Sequence, residues 1–559
     1  MFFIFIFSIF IQNALAQVND LNFWKAGREL PNVVGEKWAT GNANIFNDSP
    51  AYHQEQIASG QSHAIFYPVD VTGMLMPYQA LMDFFNNQRG LVFLKSVLKT
   101  ATQFNEVSDL YKHLGLNPFP KNDAPQFNLM RVSELDDVDG YLGATLIERN
   151  GIKGLTFGCA ACHSGQLFGK TILGLSNRFP KANRLFKEGQ LLARYVNEVN
   201  FADAMQATEA EIAIYTEARR ALKYVGVKEP AVLGLDASLT QVGLSLGIRD
   251  KDEFATMSPH SWKDQDKKLN LHPLSRHVAD SKPSVWWNVK YKTKFLSDGS
   301  LVSGNPLYTV ILWNEIGRGV NLKKLSNWLK QNEQTIMREL TVAVFAAKAP
   351  RYTDFFGNNS INVMKAKQGQ KHFIKNCQGC HGVYEKNWEV GIQTTRVLYH
   401  RKTPVIDVGT DPNRYEGMKY FAEDLNRLQI LKESNNLVVV QKGYVPPPLE
   451  GIWARYPYFH NNAAPSLCSV LTPGSMRPKT YWAGPADNPN TDYDAKCAGY
   501  PKDYDVPAAW KKNREWFFDS SKPGLSNSGH DKKILVDEMG QEKLSLLQKM
   551  ELIEFLKTL

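Results

Sequence analysis

Two pentapeptides constrain this chain more than anything else in it: Cys159-Ala160-Ala161-Cys162-His163 and Cys377-Gln378-Gly379-Cys380-His381. Both read C-x-x-C-H, the order that covalent attachment of a c-type haem requires. Two thiols add across the vinyl groups of the porphyrin as thioethers, and the adjacent histidine is held against the iron as an axial ligand. A fold that does this twice must wrap two flat, largely apolar rings. Cysteine is scarce, six in 559 residues, so coincidence does not account for two such strings. A zinc site needs further cysteine or histidine at ligand spacing, and a redox disulfide has no use for the histidine that follows. Cys159, Cys162, His163, Cys377, Cys380 and His381 are therefore candidate cofactor-binding residues, with His163 and His381 as iron ligands. The expected cofactors are two covalently attached c-type haems, and the expected business is electron transfer or haem chemistry.

Bulk properties narrow the setting. The formal charge of +9 is modest for the length. No block of Lys and Arg and no basic amphipathic helix points to nucleic acid. Basic surface suits docking to an acidic redox partner. The N-terminal run Met1–Ile11 is apolar but too short to span a bilayer. Ala14-Leu15-Ala16 after it has the small-x-small form of a signal-peptide cleavage site, although no Lys or Arg precedes the apolar run. The expectation is export, with cleavage near Ala16, to the periplasm or beyond, and no transmembrane anchor. Cys468 and Cys497 lie outside the motifs and read either as a disulfide or as two buried thiols.

Along the chain, residues 1–16 read as the signal peptide and 17–139 as a helical or loop-rich extension. Residues 140–359 read as a first haem domain and 360–559 as a second. Gly151, Gly154 and Gly158 favour a loop leading into the first motif. Asp203–Tyr224 is rich in helix formers. Met364–Asn376 reads as a helix with Gly369 and Phe373 on one face. Leu544, Leu547, Met550, Ile553 and Leu556 recur at near-helical spacing at the other end of that unit. The fold class expected is mainly α: two cytochrome c-like haem domains with long loop-rich insertions and an N-terminal extension, the first and last helices of the second domain crossing at Gly369.

The sixth iron position decides what each haem does, because an iron with two strong protein ligands carries electrons and one with an open position binds small molecules. His530, in Ser526-Asn527-Ser528-Gly529-His530, and His460, in Pro457-Tyr458-Phe459-His460-Asn461, stand out by context. From the residues alone each reads as a ligand or as a structural histidine. A wider pattern surrounds them. Gly451-Ile452-Trp453-Ala454, Pro457–Asn461, Pro465-Ser466-Leu467, Arg477-Pro478-Lys479-Thr480, Gly409-Thr410-Asp411-Pro412 with Arg414, Trp286-Trp287 and the terminal Glu554–Leu559 together resemble the rubber-oxygenase-like di-haem cytochromes c. Those are relatives of bacterial di-haem cytochrome c peroxidases. Asn462 stands where that family usually has Gly. The resemblance implies that His163 is the sole protein ligand of the first haem, that His381 and His530 both ligate the second, and that Trp287 lies between the haems. Core packing is the alternative reading of the Trp pair.

The function expected is an exported di-haem c-type cytochrome oxidoreductase with peroxidase- or oxygenase-like chemistry. The first haem would react with peroxide or dioxygen and the second would relay electrons, with His460 and Trp287 as candidate catalytic residues. Two alternatives are a non-catalytic di-haem electron-transfer protein and a dioxygenase that cleaves an apolar alkene. The partners expected are peroxide, dioxygen or a small-molecule substrate, and a redox protein.

Overall fold

Helix Val363–Asn376 starts where the Asn362 side chain accepts a hydrogen bond from the Lys365 amide, and it buries Ala366, Gly369 and Phe373. It crosses helix Leu546–Leu556, which is capped by a reciprocal Ser545–Gln548 pair. The crossing is close because Gly369 has no side chain: a Cβ there would lie 1.9 Å from the Glu551 carbonyl oxygen. Phe373 and Phe555 meet beside it, ring centres 5.2 Å apart. The second motif follows this helix directly, as the short helix Gln378–His381. The computed structural model describes residues 22–86, 96, 104–120, 126–127, 140–257, 261–531 and 534–559. The expected cleavage site near Ala16 lies outside the described residues.

Beside the second motif stands an antiparallel sheet in the order Val33–Val34, Trp38–Thr40, Thr394–His400, Val383–Lys386. Its middle pairing joins Trp38 to His400 and Thr40 to Leu398, so residues from the start of the described chain complete a sheet next to Cys380. The first motif is framed differently. Strands Ala144–Arg149 and Ile152–Phe157 form a hairpin, turned by Asn150 (φ 54°) and Gly151 (φ 76°), the pair of left-handed residues that a tight hairpin turn demands. Strand Met76–Pro77 adds to its edge. The short helix Ala160–His163 follows, and the hairpin Ser164–Leu167/Lys170–Leu173 leads away.

These elements correct the expected fold class. The chain is a mixed α/β protein with five small sheets among its described residues, not a mainly α pair of cytochrome c domains. The glycine-rich approach to the first motif is a strand rather than a loop, with Gly154 pressed on the Leu75 side chain. Asp203–Tyr224 divides into helices Glu198–Met205 and Glu209–Leu222. The break falls at Gln206, in a left-handed conformation, and a Thr208–Glu211 capping box starts the second helix. The main core is one continuous cluster from Phe23 to Leu559. Cys468 and Cys497 form a disulfide, Cα atoms 5.1 Å apart, which decides between the two readings left open above.

Candidate functional site

The second motif opens onto a cavity of about 280 Å³. Cys377, Cys380, His381, Phe459, His460 and His530 all line it, with Leu467, Leu535, Leu552 and Leu556 among its apolar walls. His381 Nδ1 and the Pro447 carbonyl are 2.8 Å apart, so the ring donates there and leaves Nε2 as the free acceptor nitrogen. Across the cavity sits His530. The two imidazole rings are nearly parallel (10°), with centres 6.3 Å apart. Two metal–imidazole bonds of about 2 Å each, added to the distance from each ring centre to its own nitrogen, come to about this separation.

His530 is held by residues the sequence had flagged without assigning them a task. Its backbone is left-handed, φ 63°, and its amide donates to the Val408 carbonyl. Arg477 donates to the carbonyls of Ser469 (2.9 Å), Asn527 and Gly529 (2.7 Å). Asn461 donates to the carbonyls of Gly524 and Ser526, and Asp411 accepts from the Ser526 amide. Phe459 stacks on the His530 ring (9°, centres 5.4 Å apart), with the Arg477 guanidinium 4.9 Å from the Phe459 ring centre. Asn462 adopts φ 62°, a conformation that glycine takes freely and asparagine tolerates best among the others.

Burial sets the protonation of the buried cysteines and histidines of both motifs. Burial holds the thiols of Cys377 and Cys162 near about 12 and that of Cys159 near about 11, so they are thiols, not thiolates, at neutral pH. Among the described residues no group of three or more His, Cys, Asp or Glu gathers as a metal site would require. Burial also lowers His381 and His163 to about 4 and His530 to about 3, leaving neutral imidazoles. Nδ1 of His163 and of His530 is buried without a hydrogen-bond partner. The Ser284 backbone lies close to His163 and partly offsets the effect of burial, but without hydrogen-bond geometry to that nitrogen. Unpaired buried nitrogens of this kind call for an explanation beyond packing. A flat apolar ring carrying an iron fits the residues around the second motif.

The other site candidates fall as follows. His460 stacks on Tyr444, ring centres 3.9 Å apart. Its carbonyl accepts from the Lys282 amide, and burial lowers its pKa to about 3, with Arg414 contributing. It belongs to the cavity of the second motif. Trp287 is fully buried, and its Nε1 donates to the Glu450 carbonyl. Its neighbour Trp286 is the one that meets His163, ring centres 5.9 Å apart. The Trp286 amide donates to Gly174 O, and the Gly174 amide to His163 O. Ser284, Val285 and Asn288, on either side of the Trp pair, line the cavity. The segment Ser284–Asn288 therefore lies between the two motifs.

The block that builds the His530 side of the cavity also carries the likeness to known proteins. Residues 443–483 match the family model described as RoxA-like, cytochrome c-like. This block resembles a rubber-oxygenase-type cytochrome c. The match supports that family, and with it a c-type haem, iron and haem-based redox function. The uncharacterized protein y4iJ of Sinorhizobium fredii (strain NBRC 101917 / NGR234) is 24% identical over 481 residues, covering 73% of this chain and 76% of its own. The uncharacterized protein y4iM of the same organism is 34% identical over 126 residues, 21% of this chain and 27% of its own. Among the described residues no helix is long and apolar enough to cross a membrane.

Proposed function

We propose that this chain is an exported di-haem c-type oxidoreductase in which the site at His163 meets peroxide or dioxygen and the site at His381 and His530 stores and relays electrons. The observation that carries the reading is the inequality of the two motifs. His381 faces a second imidazole across a cavity, whereas the ring contact of His163 is with an indole.

A c-type haem, when bound, supplies an iron that changes oxidation state inside a conjugated plane. The chain's own residues do the rest. Cys377 and Cys380, and Cys159 and Cys162, would anchor the vinyl edges. Pro447, by taking the Nδ1 proton of His381, fixes that ring's tautomer and orientation. Arg477, Asn461 and Asp411 hold the His530 loop, and Phe459 stacks on the His530 ring. Trp286 against His163 and Trp287 against Glu450 give two indoles between the first motif and the block that lines the second site. The disulfide, which belongs to oxidising compartments, supports export.

The test is the spin state of each iron in the purified holoprotein by electron paramagnetic resonance and optical spectroscopy. One high-spin and one low-spin haem are expected, the high-spin one binding cyanide or carbon monoxide. His530→Ala is expected to convert the low-spin haem to high-spin. Two low-spin haems that bind neither ligand would overturn the reading, and an unchanged low-spin signal in His530→Ala would overturn the ligand assignment.

A further inference from the structure

One side of the cavity is built unlike the rest. Lys282, Lys292 and Arg455 all line it, and no aspartate or glutamate does. The polar lining residues are tied to one another. Lys282 Nζ donates to the carbonyls of Arg455 (2.5 Å) and Pro457. Arg455 donates to the Pro448 carbonyl (2.8 Å), which also accepts from Asn288 Nδ2 (3.0 Å). Two groups there are left over. Lys292 is 7% exposed, and among the described residues no hydrogen bond or ion pair engages its ammonium. The Asn288 Oδ1 is buried and unpaired.

Gathering cations in a low-dielectric site with no counter-ion is unfavourable. The fold registers it. Burial, then repulsion from Arg455 and Arg178, takes Lys282 well below the usual lysine range. Burial, then Arg455, brings Lys292 to about 8. Away from these cations, Phe373, Leu449, Ile452, Leu467, Leu535 and Leu552 give the lining a large apolar area. A guest that satisfies both regions is a flat apolar ring with carboxylates along one edge. Ser176 also lines the cationic side, and its chain neighbour Asn177 donates its amide to Cys162 O.

We propose that Lys292, Arg455 and Lys282 form a clamp for the two propionates of the haem attached at Cys377 and Cys380, so that its carboxylate edge faces Ser176 and the segment tied to the first motif. The inference rests on the reading that a haem occupies this cavity. The two carboxylates then supply counter-charge to the three cations, and the clamp stabilises the reduced haem by placing positive charge near the electron it receives.

The experiment uses the full-length holoprotein and its variants Lys292→Met, Arg455→Met and the charge-preserving Lys292→Arg. Haem stoichiometry, peptide mass at Cys377/Cys380 and the low-spin spectrum report on the reading beneath. A chain with no haem on those cysteines overturns reading and clamp together. With haem in place, two further readouts test the clamp alone: the midpoint potential of the low-spin haem, and the redox-difference infrared bands of ¹³C-labelled propionates. Lys292→Met is expected to lower the potential, so that at one applied potential the reduced-to-oxidised ratio falls roughly tenfold, and to shift the propionate bands. Lys292→Arg restores both, and Arg455→Met repeats the shifts should Lys292→Met not fold. Wild-type potential and unshifted propionate bands in loaded Lys292→Met or Arg455→Met would overturn the clamp.

Discussion

Asp280 shows how far a single buried group tips this molecule with pH. One carboxylate oxygen accepts from the Ala231 amide at 2.7 Å, and the other is buried without a partner. Burial raises its pKa from the usual carboxylate range to about 6, against the smaller pull of the Ala231 bond and Lys228. A raised folded pKa means stability that is complete below the unfolded value and is lost as pH climbs through the folded one. Asp280 is thus expected to withdraw about 2–3 kcal/mol between about pH 4 and pH 7. Asp280→Asn should recover that amount near neutrality and change little at pH 4. Equal unfolding midpoints for the two proteins at pH 7, in denaturant titrations, would refute this. At the same scale the sequence was uneven. The motif cysteines, His381 and His530 stood out through their neighbours. Lys282 and Lys292 did not, because nothing local marks two lysines that meet an arginine from a block far downstream only after folding.

At the scale of elements, legibility followed locality. Helix Val363–Asn376 announced itself through an apolar face and a glycine, signals contained in its own residues. Its partner was read from Leu544 onward, yet the helix begins at Leu546, Leu544 is buried ahead of it, and Leu547 is 59% exposed. The strands left less trace. They are two to seven residues long, and several pair across long stretches of chain, as Trp38–Thr40 does with Leu398–His400. Periodicity cannot report a partner that distant. Glycine misled for a related reason: it marks a loop, a hairpin turn or a close approach alike, and Gly151 and Gly154 serve the latter two. The crossing at Gly369 makes a sharp expectation. Gly369→Ala must push the two helices apart against the Glu551 carbonyl, and about 1–3 kcal/mol or more of stability should go with it. A thermal midpoint within a degree of wild type would show that the helices shift freely.

At the scale of the whole molecule, one covalent tie joins the block that matches the cytochrome c-like family model to the chain that follows it. The Cys468–Cys497 bridge closes a loop across a sequence separation of 29 residues, and the Leu467 amide donates to the Cys497 carbonyl beside it. Leu467 and Val470, flanking Cys468, line the cavity. Loss of the bridge in the Cys468→Ser/Cys497→Ser double variant should lower stability by about 3–4 kcal/mol, read as a lower midpoint of thermal unfolding. On the proposed function, its low-spin optical signal should broaden or fade first on heating. A variant that melts with the wild type would show that the block stands without its tie.

The strand Trp38–Thr40 carries a consequence for the order in which this protein matures. Lys37 donates to the Gly379 carbonyl, and His400, in the strand that Trp38–Thr40 pairs with, meets the carbonyl of Cys380 at 3.0 Å. The backbone of the second motif is thus closed over partly by a residue from a distant reach of the chain, and the Lys37 contact forms late because it spans 342 residues. On the proposed function, an attachment apparatus must handle Cys377 and Cys380 before that closure. The stretch of chain made early therefore has to wait, unpaired, until the porphyrin is on, and docks among the last.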